Sequence, residues 1–358
     1  MSNNGQCQTA QRRWRAERLG YRWLLALIAA ASLVACNGNA TPAARETSTA
    51  TAPAAAGQIR VVVSLPVFVS LAEAVGGDRV QVSSIVPAGT DPHTYQPTPR
   101  DAQALADAKV IFVNGLGLEE WLSDLIASAS SGAPVVELAE GLETAQDEHA
   151  HEHPEGTPTT EQSHEHAHGT PEADHGHGTP EGEHGHEHEG GNPHLWLDPD
   201  YAVEYVRRIA QSLEEIDPDG AATYRANAER YIAEIQEFDA WAKGQVEQIP
   251  PERRKLVTFH DAFPYFAEHY GLEMAGVIVL SPGREPSPQE LAQLVDLIQR
   301  HGVPAIFTEP QFNPKLAETL AREAGVEVLE LYSDTPPASE DYIGMMRRNI
   351  EHIVEGLG

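Results

Sequence analysis

From Gln58 onward, short apolar runs alternate with longer amphipathic stretches, the pattern of α/β domains built on parallel sheets. Runs at 60–65, 81–86, 109–114 and 135–138 predict four strands, and runs at 255–259, 274–280, 305–308 and 326–331 predict four more. Between the two sets, Val203, Val206, Ile209, Leu213 and Ile216 keep helical spacing until Asp217-Pro218 stops them. Tyr224, Ala228, Tyr231, Ile235, Phe238 and Ala242 then form one stripe along a helix running to about residue 249. At 1.5 Å per residue that helix is about 40 Å long, enough to run along a whole lobe. Ser287-Pro288-Gln289-Glu290 offers a capping-box serine, a first-turn proline and a returning glutamate, and Asn313-Pro314 opens the next helix similarly. The predicted class is α/β, with two (βα)4-type lobes on parallel sheets joined by one long rigid helix. The expected divisions are an N-terminal lobe over 58–200, a helical region over 201–250 and a C-terminal lobe over 251–358.

Two segments break this order. Arg12, Arg13, Arg15, Arg18 and Arg22 precede an apolar run at 23–34, too short to span a membrane comfortably. Residues 1–35 therefore read as a secretory signal peptide. The run closes on Leu33-Val34-Ala35-Cys36, which resembles a bacterial lipobox, with Cys36 lipidated and becoming the new N-terminus. Residues 36–57, rich in Ala, Thr, Pro and Ser, then read as a flexible lipid-anchored linker. The other cysteine, Cys7, lies in the removed segment, so the mature chain has no disulfide.

The second break is 143–193, which holds 11 histidines and 13 acidic residues and no Lys or Arg. His-Gly-Thr-Pro-Glu occurs at 168–172 and again at 177–181. Such a repeat has too little apolar surface to pack and reads as a disordered insertion in the N-terminal lobe. His149, His151, His153, His164, His166, His168, His175, His177, His184, His186 and His188 would form a weak, multi-site binder of Zn(II), Cu(II) or Ni(II). The plainer reading is a solvated spacer. His164-Glu165-His166-Ala167-His168 matches the H-E-x-x-H of zinc proteases, but that motif works only on a helix, and here it falls in Gly- and Pro-punctuated repeat. It is set aside.

Composition narrows the partners more than the fold. The 358 residues suffice for two domains, and 54 Asp and Glu against 24 Lys and Arg give a net charge of −30. Phosphate neutralisation needs clustered Lys and Arg, so nucleic acid is a poor partner and a cation a better one.

Six histidines lie outside the insertion. His269, His301 and His352 fall in or beside amphipathic helices and read as exposed or helix-end residues. His93 lies in Thr90-Asp91-Pro92-His93-Thr94-Tyr95, a loop after the second predicted strand. His194 follows the insertion, and His260 directly follows the strand at 255–259. Asp334 stands beyond the last strand. Ligand sites in open α/β sheets form at the carboxyl ends of strands. Three neutral imidazoles and one carboxylate make a reasonable four-coordinate set for a borderline-soft dication. Spacing alone does not show that they converge.

Six stretches carry a family resemblance: PAGTDPHTYQPTP at 87–99, NGLGLEEWL at 114–122, NPHLWLDP at 192–199, TFHDAFPYF at 258–266, SPGREPSPQEL at 281–291 and FTEPQFNPKL at 307–316. In this order, with a His-rich insertion before His194, the chain resembles over 58–358 the metal-binding lipoproteins of bacterial ABC importers. Within that zinc and manganese cluster it is most similar to the zinc branch. The resemblance implies a metal in the cleft between the lobes, held by His93, His194 and His260. The fourth position is an aspartate in manganese members and often water in zinc members; Asp334, in YSDT, matches the aspartate pattern. Manganese-selective relatives tend to carry a glutamate where this chain has His260, and imidazole favours Zn(II) over Mn(II). Many zinc members carry a disulfide that is absent here. The implied function is extracytoplasmic capture of Zn(II), with Mn(II) as the alternative cargo, by a monomeric lipid-anchored receptor serving a membrane permease and its ATPase. Asp198 and Glu309 could orient the imidazoles, or serve as a helix cap and a surface charge. The rivals are a metal-buffering, adhesin-like surface lipoprotein and a secreted zinc hydrolase, for which no general base stands at a recognisable spacing.

Overall fold

Strands of a parallel sheet covered on both faces need β-branched residues on both sides, and the strand runs here supply them. In a computed structural model that describes residues 57–142, 191–279 and 286–358, β1 (Ile59–Val63), β2 (Val80–Ser84), β3 (Val110–Val113) and β4 (Val135–Glu137) form one sheet. The strands β5 (Lys255–His260), β6 (Glu273–Val279), β7 (Ala305–Thr308) and β8 (Glu327–Glu330) form a second. Every neighbouring pair is parallel, and the orders β2-β1-β3-β4 and β6-β5-β7-β8 repeat one topology. Each sheet therefore reverses its strand order between its first and third strands, where loops diverge and leave a crevice. His260 and Glu309 lie at that point in the second sheet. Asn114 and Ser64 lie there in the first.

The strands stand where the apolar runs predict them, with one correction. His260 is the last residue of β5, paired in register with Val279, rather than the first residue after it. The signal peptide, Cys36, the linker up to residue 56, all eleven insertion histidines and residues 280–285 lie outside the described residues.

Helices cover the sheets: α1 (Pro66–Gly76), α2 (Pro99–Asp107), α3 (Glu120–Ala129), α4 (Pro199–Ile216), α5 (Ala221–Val246), α6 (Pro264–Tyr270), α7 (Pro288–His301), α8 (Lys315–Ala324) and α9 (Tyr342–Leu357). Ser287 and Glu290 complete the predicted capping box of α7. The 26-residue α5 buries the predicted stripe, extended by Val246, and ends three residues earlier than expected. It packs against α1 and α4, and also against α6 and α9. The chain's last helix crosses back to α1, burying Met345, Met346, Ile350 and Ile353. One apolar core thus runs from β1 through α5 to α9. Burial of each such side chain contributes on the order of 1.5–3 kcal/mol, so the elements that carry the site rest on a shared foundation.

Candidate metal centre

His93 sits in a 3-10 turn, Pro92–Thr94, whose proline presets φ and whose N-cap, Asp91, accepts from the His93 N–H at 2.9 Å. Trp121 Nε1 donates to the Pro92 carbonyl oxygen at 3.0 Å and fixes this turn on α3. His194 precedes the short turn Leu195–Leu197, whose three side chains are fully buried. Trp196 anchors it by donating from Nε1 to the Ser333 carbonyl oxygen at 2.8 Å and by an edge-on contact with Phe68. His260 ends β5, and its ring meets that of Phe312.

The structure brings these three histidines together. Their ligand nitrogens lie within 4.8 Å of one another, and the ring centroids of His93–His194, His93–His260 and His194–His260 are 5.4, 5.7 and 5.1 Å apart. The Nε2 atoms of His194 and His260 are 3.3 Å apart. Two nitrogens bound tetrahedrally to one zinc ion, each about 2.0–2.1 Å from it, stand about 3.3–3.4 Å from each other. His194 and His260 are buried and His93 is half-buried.

Hydrogen bonds set which nitrogen faces the cluster. Glu309 Oε2 lies 2.5 Å from His260 Nδ1, and Glu309 Oε1 accepts from Ser333 Oγ at 2.6 Å and Gln311 Nε2 at 3.2 Å. Of the two carboxylates proposed to orient imidazoles, Glu309 does so. Burial pulls the His260 pKa down, but the Glu309 carboxylate outweighs it, helped by Asp334 and Asp91, and the group is pushed up to about 9. Asn192 Oδ1 lies 2.9 Å from His194 Nδ1. Both buried rings are thus held through Nδ1 and turn Nε2 toward His93.

Asp334 is placed differently from the histidines. It is fully buried beside the cluster but is not one of the groups whose ligand atoms share the 4.8 Å limit. Its Oδ2 accepts from Gln311 Nε2 at 3.1 Å, while Oδ1 has no hydrogen-bond partner among the described residues. Burial pushes its carboxyl up to about 7 against the opposing pull of His260. A buried carboxylate oxygen without a donor suits a cation.

Of the two readings of Asp198, the helix cap holds: it caps α4, accepting from the Asp200 N–H at 2.8 Å, and faces His269 rather than a ligand histidine. Of the two readings of His269, the helix end holds and exposure does not. Its side chain is 6% accessible, with Nδ1 2.9 Å from Asp198 Oδ1 and Nε2 2.7 Å from Asp239 Oδ1. Three helices meet there, and a place in or beside an amphipathic helix gave no sign of carboxylates arriving from α5 and the α4 cap. The other two helix histidines fit expectation: His301 is exposed at a helix end beside Lys255, and His352 is half-buried near the end of α9, against the Glu330 carbonyl oxygen.

Sequence reasoning also missed the supports of the ligand loops. The buried Glu119 accepts from Ser64 Oγ at 2.6 Å and from the N–H groups of Asn114 and Gly115 at 2.8 and 3.1 Å. Burial raises its pKa against these donors. Asn114, so fixed, donates from Nδ2 to the Pro193 carbonyl oxygen at 2.8 Å and accepts from Tyr205 at 2.6 Å. Gly191 and Pro193 are buried, so the insertion ends before residue 191 rather than at 193. The motifs at 114–122 and 192–199 contain these residues; the only signal was polar side chains at strand ends.

A family model described as zinc-uptake complex component A, periplasmic, matches residues 61–356. A manganese-binding lipoprotein of Halalkalibacterium halodurans is 34% identical over 84% of this chain and 88% of its own length. An iron ABC transporter substrate-binding lipoprotein of Streptococcus pyogenes is 26% identical over 87% of this chain and 92% of its own. The crystal structure of a ZnuA deletion mutant with zinc bound superposes with a TM-score of 0.66 at 27% identity, covering 84% of this chain and 98% of that one.

Proposed function

The chain belongs to the zinc-uptake complex component A family, metal-binding substrate-binding proteins of ABC importers, and on that premise we propose that its cargo is Zn(II). His93, His194 and His260 are the ligands, and Asp334, through its unpartnered Oδ1, is the fourth donor. The observation that carries this reading is the 3.3 Å approach of two Nε2 atoms whose rings are each fixed through Nδ1. Three imidazoles select a borderline-soft ion over harder Mn(II), and metal-bound histidines held by a carboxylate or amide oxygen are the usual support of such sites. Manganese is the second reading. It is favoured by the manganese-binding relative and by the buried carboxylate of Asp334.

In the receptor so proposed, Cys36 carries the lipid anchor on the outer side of the membrane and the eleven insertion histidines gather ions weakly. A monomeric binding body built of two lobes then delivers one ion to a permease driven by its ATPase. The hydrolase reading finds no support. The family consists of binding proteins for transport, and the nearest carboxylate, Glu309, already accepts from His260, Ser333 and Gln311.

Calorimetric titration tests this with Zn(II) and Mn(II) into the full chain, a form lacking 143–190, and that form carrying His93→Ala. One tight zinc site should survive the deletion, outcompete manganese and vanish with His93→Ala. Tight zinc binding in the last protein overturns the ligand assignment, and a preference for Mn(II) overturns the choice of cargo.

A further inference from the structure

Asn192 joins the His194 ring to the backbone beside His260 through one short side chain. Its Oδ1 accepts from the His194 N–H at 3.0 Å and lies 2.9 Å from His194 Nδ1. Its Nδ2 donates to the carbonyl oxygen of Asp261, the residue after His260, at 2.6 Å. Its own carbonyl oxygen accepts from the Tyr265 hydroxyl at 2.8 Å, at the start of α6. Asn114 holds the next carbonyl, that of Pro193.

The orientation of this amide follows from its neighbours. A backbone N–H can only donate and a backbone carbonyl can only accept. Oδ1 must therefore face His194 and Nδ2 must face Asp261; the flipped amide would set donor against donor at one end and acceptor against acceptor at the other. With an acceptor 2.9 Å from Nδ1, the neutral His194 ring carries its proton there and leaves the Nε2 lone pair pointing at His260. The same side chain fastens the His194 segment, which Asn114 holds to the first sheet, onto the end of β5 in the second.

We propose that Asn192 is a positioning residue with two roles: it selects the His194 tautomer that offers Nε2 to the cargo, and it latches the His194 segment to the His260 segment so that the ion leaves only as the latch opens. The second role rests on the metal-receptor reading; the first holds in the metal-free protein as well.

The test uses the full chain, Asn192→Ala and Asn192→Asp, each loaded with one equivalent of Zn(II). Release into excess chelator is followed by stopped flow, and long-range proton–nitrogen spectra of the histidines are recorded with and without metal. His194→Ala identifies the His194 signal, and thermal midpoints verify that each variant folds. Asn192→Ala should speed release by about tenfold to a hundredfold, the usual cost of losing a partner that orients a ligand, and should mix the two His194 tautomers. Asn192→Asp keeps the acceptor but sets an oxygen against the Asp261 carbonyl, so it should preserve the Nδ1–H signal while still releasing faster. Asn192→Ala with wild-type release and an unmixed tautomer overturns the inference, and wild-type release from Asn192→Asp overturns the latch. A wild-type protein that shows the Nδ1–H tautomer but holds zinc weakly sinks the receptor reading while supporting the tautomer role.

Discussion

Two buried histidines nine positions apart in the chain are used by the fold in opposite ways. His260 is gripped on one side only: Glu309 takes Nδ1, and Nε2 faces two other imidazoles. His269 is gripped on both, by Asp198 at Nδ1 and Asp239 at Nε2. In each case burial pulls the pKa down and the carboxylates outweigh it, so both are raised. Burial and basicity therefore do not distinguish a ligand from a strut. What distinguishes them is whether one ring nitrogen is left uncommitted to a carboxylate, which follows from position: the end of a central strand beside the sheet's switch point, or the last turn of a short helix that meets two others.

The sharpest way to break this comparison is to delete each ring in turn. His260→Ala should reduce zinc affinity by more than about a hundredfold, since it removes a ligand and not merely a ligand's support. His269→Ala should leave the stoichiometry and affinity of the tight zinc site unchanged. It should instead destabilise the fold by roughly 2–3 kcal/mol, because two partly buried carboxylates lose their donor. Thermal unfolding reads that loss directly, each kcal/mol being worth about 2–4 °C in a chain of this size. Zinc titration and melting curves on the same two variants decide the matter. Comparable zinc loss in both would mean that the two rings are not different in kind.

Sequence pattern reaches unevenly into this picture. Both sheets are legible, because parallel strands buried on two faces must be short runs of Val, Ile and Leu, and the stripe of α5 survives to the residue. His93, His194 and His260 stand out as histidines at loops and strand ends, yet their convergence depends on sheet order and on loops 66 or more residues apart, which no local period encodes. His269 fails for the same reason. Its partners lie 30 residues away on α5 and farther off at the α4 cap, so its local sequence alone does not show them. Asn192 was hidden by composition, lying beside a polar repeat whose boundary only the burial of Gly191 and Pro193 reveals.

A subtler separation comes from pH. An imidazole with a higher pKa folded than unfolded holds its proton more tightly in the native state. Its stabilisation is whole below about 6.5 and is lost as pH rises through the raised value. Metal-free protein should accordingly lose stability on the alkaline side, through the raised pKa of His269 and, for His260, through about 9. Asp334, raised to about 7 by burial, adds a loss of the same sign. Zinc affinity moves the other way, climbing as pH rises from 6 toward 9, because a proton on His260 competes with the ion. The wild-type advantage in melting temperature over His269→Gln should shrink at high pH, while its advantage in zinc affinity over His260→Gln should grow. Melts and titrations across that range verify both slopes; parallel slopes would erase the distinction.

The smallest effect lies at the edge of the strut. Asp239 also accepts from Lys243 Nζ at 2.8 Å, an i,i+4 pair on α5 whose lysine side chain is 47% exposed. Burial pushes the Asp239 carboxyl up, but Lys243 and His269 together bring it below its usual range. An exposed lysine of this kind contributes about 0.3–0.5 kcal/mol, so Lys243→Ala alone should barely move the melting curve and should leave zinc binding untouched. The informative variant is the double one. Once His269 is gone, Lys243 is the remaining cation paired with that carboxylate among the described residues, and its removal should cost more than in the intact protein, by about 0.5 kcal/mol or more, as expected for groups that share a partner. Strictly additive losses would show that Asp239 does not couple them, and that His269 is held by Asp198 alone.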